Sequence, residues 1–125
     1  FPYDKISITL IPSERSQLHQ RIAKRFESML KCGLVDEVHS IRKQFSLSTE
    51  SPSMRCVGYR QACLYLDDKI SISELQDSGI AATRQLAKRQ LTWLRGMKSD
   101  NVNEFDCLAS KLSEQIKFLL KKTIK

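Results

Sequence analysis

The sequence predicts a mainly α-helical fold of about five helices, with a single β-strand near its beginning. Three observations carry this. Apolar residues recur at helical spacing along most of the 125 residues. Period-two alternation of β-branched residues occurs convincingly once, between Lys5 and Ile11. The composition, 41% hydrophobic with 28% charged residues, is that of a packed chain rather than a disordered one.

The strand comes first. Ile6, Ile8 and Leu10 alternate with Ser7 and Thr9. A lone strand satisfies neither its edges nor its apolar face, so its sheet is expected elsewhere in a larger protein. Pro12-Ser13 ends it, and Ser13 or Ser16 can cap a helix whose apolar stripe is Leu18, Ile22, Phe26, Met29 and Leu30. Gly33 is a natural terminator for that helix. Val35, Val38, Ile41 and Phe45 share one face of a second helix.

Residues 46–53 are polar, contain Pro52 and read as a loop. Residues 58–66 form a short helix with Ala62, Leu64 and Leu66 as core candidates, and Asp67-Asp68-Lys69 is a turn without a matched partner for its carboxylates. Ser71 or Ser73 caps a long helix from about Leu75 to Met97, with Ile80, Ala87, Leu91 and Leu94 on its packed face. Residues 100–104 read as a turn, and residues 105–124 as a final amphipathic helix through Leu108, Leu112, Ile116, Leu119 and Leu120.

Several function classes are excluded or made unattractive. The four glycines stand singly, at Gly33, Gly58, Gly79 and Gly96. Neither a Walker loop nor a dinucleotide fingerprint can be drawn through them. Cys32, Cys56, Cys63 and Cys107 form no C-x-x-C pair, and His19 and His39 lack zinc-ligand spacing, so four reduced thiols of a cytosolic protein are expected and no metal site. No apolar run approaches the ~20 residues that cross a bilayer. Phe1-Pro2-Tyr3-Asp4 does not have the character of a signal peptide, and the absence of an initial methionine points to a fragment or processed product.

The charge is more informative. Lysine and arginine total 21 against 14 acidic residues, a net charge of +7. Between Asp77 and Asp100 the chain carries no acid but has Arg84, Lys88, Arg89, Arg95 and Lys98. At ~100° per residue, Arg84, Lys88 and Arg95 fall on one stripe with Thr92. Such a face suits a polyanion, or is simply solvated. Arg55-Cys56-Val57-Gly58-Tyr59-Arg60 is a second concentration, in which arginines can grip phosphates and Tyr59 can stack on a base, donate to a phosphate or pack inward. Trp93, beside Leu86 and Met97, is expected in the core rather than as a base platform. Arg21, Arg25 and Ser28 share a face of the first helix, and Lys111, Lys117, Lys121, Lys122 and Lys125 make the last helix basic. No catalytic constellation stands out.

Three segments together resemble a known family. Leu18-His19-Gln20-Arg21-Ile22-Ala23-Lys24-Arg25-Phe26, followed by Met29-Leu30 and Gly33-Leu34-Val35-Asp36-Glu37-Val38, looks like the first helix pair in the C-terminal part of tRNA dimethylallyltransferases. Arg55-Cys56-Val57-Gly58-Tyr59-Arg60-Gln61 is similar to the next signature, and Ala82-Thr83-Arg84-Gln85-Leu86-Ala87-Lys88-Arg89-Gln90-Leu91-Thr92-Trp93-Leu94-Arg95 to the last. The match runs from about Ile8 to Gly96, and residues 101–125 match nothing in it. Residues 1–100 then form the C-terminal part of the transferase domain, and 101–125 an amphipathic tail.

The resemblance implies transfer of a dimethylallyl group from its diphosphate to N6 of adenosine 37 in tRNA. It implies a P-loop, nucleotide-kinase-like α/β core in which the strand at residues 5–11 would take its place. The Walker-type loop of that core would bind the diphosphate with Mg2+, and the core would supply the catalytic aspartate, leaving no catalytic residue, cofactor or metal site in this segment, which alone should be inactive. Carried over, the tRNA-binding positions are Arg55, Cys56, Val57, Gly58, Tyr59, Arg60, Lys88, Arg89, Gln90, Leu91, Thr92, Trp93, Leu94 and Arg95. Helix arithmetic favours Lys88, Thr92 and Arg95 for contact, and Leu91 and Leu94 for packing. Arg21 and Arg25 are candidates for the diphosphate channel. The expected partners are the tRNA anticodon stem-loop and, through the missing core, dimethylallyl diphosphate, in a monomeric, cytoplasmic parent without a membrane segment. The alternatives are a non-enzymatic basic helical module for nucleic acid, or an interaction fragment with solvated basic faces.

Overall fold

A computed structural model describes residues 2–97 and 101–124. The elements run β1 (Ser7–Ile11), α1 (Arg15–Lys31), α2 (Leu34–Phe45), a 3-10 turn (Pro52–Arg55), α3 (Tyr59–Leu66), α4 (Ile72–Gly96), β2 (Val102–Asp106) and α5 (Leu112–Thr123). The chain is mainly helical, as the periodicity predicts. It divides into two compact units, Phe1–Leu18 with Gln90–Lys125, and His19–Arg89.

The His19–Arg89 unit holds the main core. Phe26, Leu34, Val38, Met54, Ala62, Cys63 and Leu75 are buried together. The α1 stripe behaves as its spacing dictates: Ile22 and Phe26 are buried, and Met29 and Leu30 pack against the core. In α2, Val38 is fully buried, but Phe45 is 62% exposed because the helix ends there and Ser46 turns left-handed at φ 50°. Gly33, at φ 100°, supplies the sharp turn between α1 and α2. In α3 the buried residues are Gln61, Ala62 and Cys63, with Leu64 and Leu66 only half-buried. Consecutive buried residues reflect a short helix with neighbours on more than one side.

The expected loop at 46–53 contains the start of the 3-10 turn, which buries Met54 against Cys63 (Sγ to Sδ, 3.8 Å). Asp67 is not the unpartnered turn carboxylate that local sequence suggests. It accepts from Arg42 at 3.0 Å and from Thr49 at 2.9 Å. Both partners lie far off in sequence, beyond the reach of a local reading. Ser71 caps α4, its Oγ accepting from the Glu74 backbone N–H at 3.1 Å.

In the other unit, β1 has a partner that the sequence reading lacks. β2 runs parallel to it, with Ser7 opposite Val102 and Ile11 opposite Asp106. The expected helix from residue 105 therefore shortens to α5, and Phe105 and Leu108 lie outside it. Asp106 ends the strand: its carboxylate accepts from the backbone N–H of Ser13 at 3.0 Å and of Leu108 at 2.9 Å. Burial along β1 also departs from the alternation, since Thr9 is buried while Leu10 is 44% exposed. Strands of parallel sheets are ordinarily covered on both faces, so alternation alone does not say which face is covered in a given stretch.

Candidate nucleic-acid interface

The first cationic segment is built around a tight turn. Met54 anchors the 3-10 turn in the core, and the chain then leaves through Cys56 and Val57 to Gly58. Gly58 sits at φ 93° and ψ −56°, a conformation that side chains disfavour. Its buried backbone N–H donates to Gln61 Oε1 at 2.8 Å, which ties the turn to the first turn of α3. Gly58 and Gln61 thus serve the shape of the segment rather than its chemistry.

Arg55, Cys56 and Arg60 are left exposed, Val57 and Tyr59 are half-buried, and Gly58 is buried. The Tyr59 hydroxyl donates to a Glu37 carboxylate oxygen on α2. That hydrogen bond, then burial, then the Glu37 charge raise the phenol above its ordinary value. Its proton is thereby committed to Glu37, and the ring is oriented by α2. Arg55 pairs with Glu50 at 3.3 Å in an exposed ion pair. A hollow of about 400 Å³ lies alongside, lined by Thr49, Glu50, Arg55, Arg60, Leu64 and Lys69. Sequence reasoning missed Glu50 and Lys69, which only chain folding brings beside the two arginines.

The second segment lies on α4. Arg84, Lys88, Arg89 and Gln90 are exposed, as are Thr92, Trp93 and Arg95. Leu91 is buried, and Ala87 and Leu94 are half-buried. At ~100° per residue Leu91 falls about 60° from Lys88 and about 40° from Arg95, so the buried stripe borders the cationic one rather than lying opposite it. Trp93 is the exception to expectation: it is 74% exposed, with Leu86 and Met97 also exposed. Residues seven and eleven apart share one helix face, and that face is not the one carrying Leu91. Lys98 falls outside the described residues.

Arg21, Arg25 and Ser28 lie on α1; Arg25 is exposed, as the surface reading expects. All four cysteines are free thiols, and burial pushes the Cys63 thiol up despite the opposing charge of Arg42. Among the described residues no group of three His, Cys, Asp or Glu is arranged to hold a metal ion. No described helix is long and apolar enough to cross a membrane.

The comparisons with known proteins agree with one another. The IPP transferase family matches residues 2–97. A tRNA dimethylallyltransferase of Nitrosomonas europaea is 55% identical over 116 residues, covering 93% of this chain and 36% of that protein. One of Nitrosospira multiformis is 56% identical over 122 residues, or 98% of this chain and 37% of that protein. The family match ends at residue 97, as the sequence resemblance does near Gly96, while this relative's alignment continues into residues 101–125. Among solved structures, a tRNA isopentenylpyrophosphate transferase of Bacillus halodurans superposes with a TM-score of 0.80 at 32% identity, over 97% of this chain and 40% of its own. A tRNA delta(2)-isopentenylpyrophosphate transferase of Staphylococcus epidermidis gives the same TM-score at 28% identity, over 96% of this chain and 38% of its own. The chain spans little more than a third of the length of these relatives. By the family match and by these relatives, the chain belongs to the IPP transferase family.

Proposed function

We propose that this chain is the tRNA-binding part of a transferase that moves a dimethylallyl group from dimethylallyl diphosphate to N6 of adenosine 37 in tRNA. The single observation that carries this is the division of α4, with Lys88, Arg89 and Arg95 exposed and Leu91 buried. Such a helix packs along the Leu91 stripe and offers Lys88 and Arg95 to a polyanion on the stripe beside it, with Arg89 farther round the helix. The relatives' names supply the kind of polyanion.

In this reading Lys88 and Arg95 hold backbone phosphates of the anticodon stem and fix its register, and base identity is read elsewhere. An N6 amine inside a stacked loop is out of reach of an alkyl donor, so the adenosine must leave the stack before reaction. Exposed Trp93 is suited to receive an unstacked base. Arg55 and Arg60 present a second pair of phosphate donors, while Tyr59, its hydroxyl held by Glu37, offers a ring edge or face rather than a proton. Arg21 and Arg25 are assigned to the diphosphate channel. The Mg2+ that neutralises the diphosphate, and the base that takes the amine proton, fall to residues outside this chain, which alone transfers no prenyl group.

The test is a filter-binding titration of the full-length protein with tRNA over a range of salt. Lys88→Ala and Arg95→Ala together should weaken binding and reduce the salt slope by about 0.7–0.9 for each phosphate left without its cation. Unchanged affinity and slope would overturn the assignment.

A further inference from the structure

The hollow beside the first segment has a composition that the motif itself does not explain. Three cationic side chains line it: Arg55 before the turn, Arg60 on α3 and Lys69 beyond the end of α3. One carboxylate lines it too, Glu50, and this carboxylate already holds Arg55 at 3.3 Å. Thr49 also lines the hollow, but its hydroxyl donates to Asp67, so the loop carrying Glu50 is tied down at its neighbouring residue. Asp67 itself is occupied by Arg42 and Thr49. The volume of about 400 Å³ is in the range of sites that hold small ligands.

We propose that this hollow is a phosphate seat for the tRNA backbone, in which Lys69 is a third phosphate ligand and Glu50 stands in for the phosphate until RNA arrives. The proposal rests on the tRNA-binding reading and adds two residues to it. Arg55 exchanges one oxyanion for another. Its pair with Glu50 is exposed, with side-chain exposures of 64% and 85%, and such pairs are weak and screened by salt. A phosphate flanked by Arg55, Arg60 and Lys69 offers Arg55 a doubly bonded partner with further cations beside it. Glu50 then keeps Arg55 from binding other anions loosely, and its negative charge lowers affinity for any phosphate that fails to meet all three cations. Lys69 is poised for this because the tight turn after α3, in which Asp68 adopts φ 57°, brings the chain back toward the helix.

The experiment measures binding of a tRNA anticodon stem-loop to the full-length protein by fluorescence anisotropy across a salt series. Lys69→Gln should weaken binding about 3–10-fold and reduce the salt slope by about 0.7–0.9. Glu50→Gln should tighten binding about 2–5-fold. Lys69→Arg, which keeps the charge, should stay near wild type. Lys69→Gln with unchanged affinity and slope, or Glu50→Gln without tightening, overturns the seat. Lys88→Ala separates this from the parent reading. Binding lost with Lys88→Ala but not with Lys69→Gln removes the seat alone, whereas a wild type that binds no tRNA removes both. Inorganic diphosphate is the second probe. A Lys69-dependent rise in melting temperature with diphosphate, and no Lys69 effect on RNA, would assign the hollow to a free anion and overturn its assignment to the RNA backbone.

Discussion

The ring of Phe26 on α1 fills the space that a side chain at Gly79 on α4 would need. A Cβ at Gly79 would lie 2.0 Å from Phe26 Cζ and within 2.6 Å of both Cε atoms. Phe26 is 2% exposed, so the ring has nowhere to retreat without opening the core. Gly79→Ala should therefore destabilise the fold by about 1–3 kcal/mol, although alanine is the better helix former. Phe26→Leu should relieve part of this in the double variant. Chemical denaturation of the four proteins checks both statements, and additive losses would show that the two residues do not meet.

The turn before α3 gives a second expectation. Gly58→Ala forces a side chain into φ 93°, at a cost of about 1–3 kcal/mol. Gln61→Ala leaves the buried Gly58 N–H without its acceptor, at about 1–3 kcal/mol. Because both distort the segment that presents Arg55 and Arg60, RNA affinity should fall along with stability. Gln61→Glu keeps an acceptor and should lose much less. Melting temperatures and binding measured on the same preparations test this.

Asp67 predicts a pH dependence. Burial alone would raise its carboxyl pKa, but hydrogen bonds from Arg42 and Thr49 and the charges of Arg42 and Lys69 outweigh this and hold it below the ordinary value. A carboxyl depressed in the folded state stabilises the fold above its unfolded pKa, about 3.9, and that stabilisation is lost as pH falls through the lower folded value. Asp67→Asn should therefore be less stable than wild type at pH 5–7, and the gap should close below about pH 3.9. A gap independent of pH would show that charge at Asp67 does not matter.

Trp93, at 74% exposure, should contribute little to stability, with Trp93→Phe costing less than about 0.5 kcal/mol. Its emission, taken as the difference between wild type and Trp93→Phe, should be readily quenched by acrylamide and protected when an anticodon stem-loop is added. Protection absent at saturating RNA would remove Trp93 from the interface.

Much of the helical plan is legible locally. The stripe through Ile22 and Phe26, the left-handed stop at Gly33 and the Ser71 cap all follow from periods and backbone preferences that act over one or two turns. The candidate site is legible in the same measure, because the cations of α4 stand in a stretch without acid between Asp77 and Asp100, and the Arg55–Arg60 segment brackets a glycine and a tyrosine with arginines. Tyr59 is not: its hydroxyl is spoken for by a residue on another helix.

Local sequence thus specifies helical content, the packed and charged faces of α1 and α4, and the family signatures along them. Long-range folding settles the rest. β2 exists because Val102–Asp106 finds β1, and a strand's hydrogen bonds are made with a distant segment rather than within itself. Trp93 lies outside because a helix with two apolar faces shows no local sign of which one will be covered. Lys69 and Glu50 join Arg55 and Arg60 because a turn and a tied loop return to them, and charge acts through space rather than along the chain.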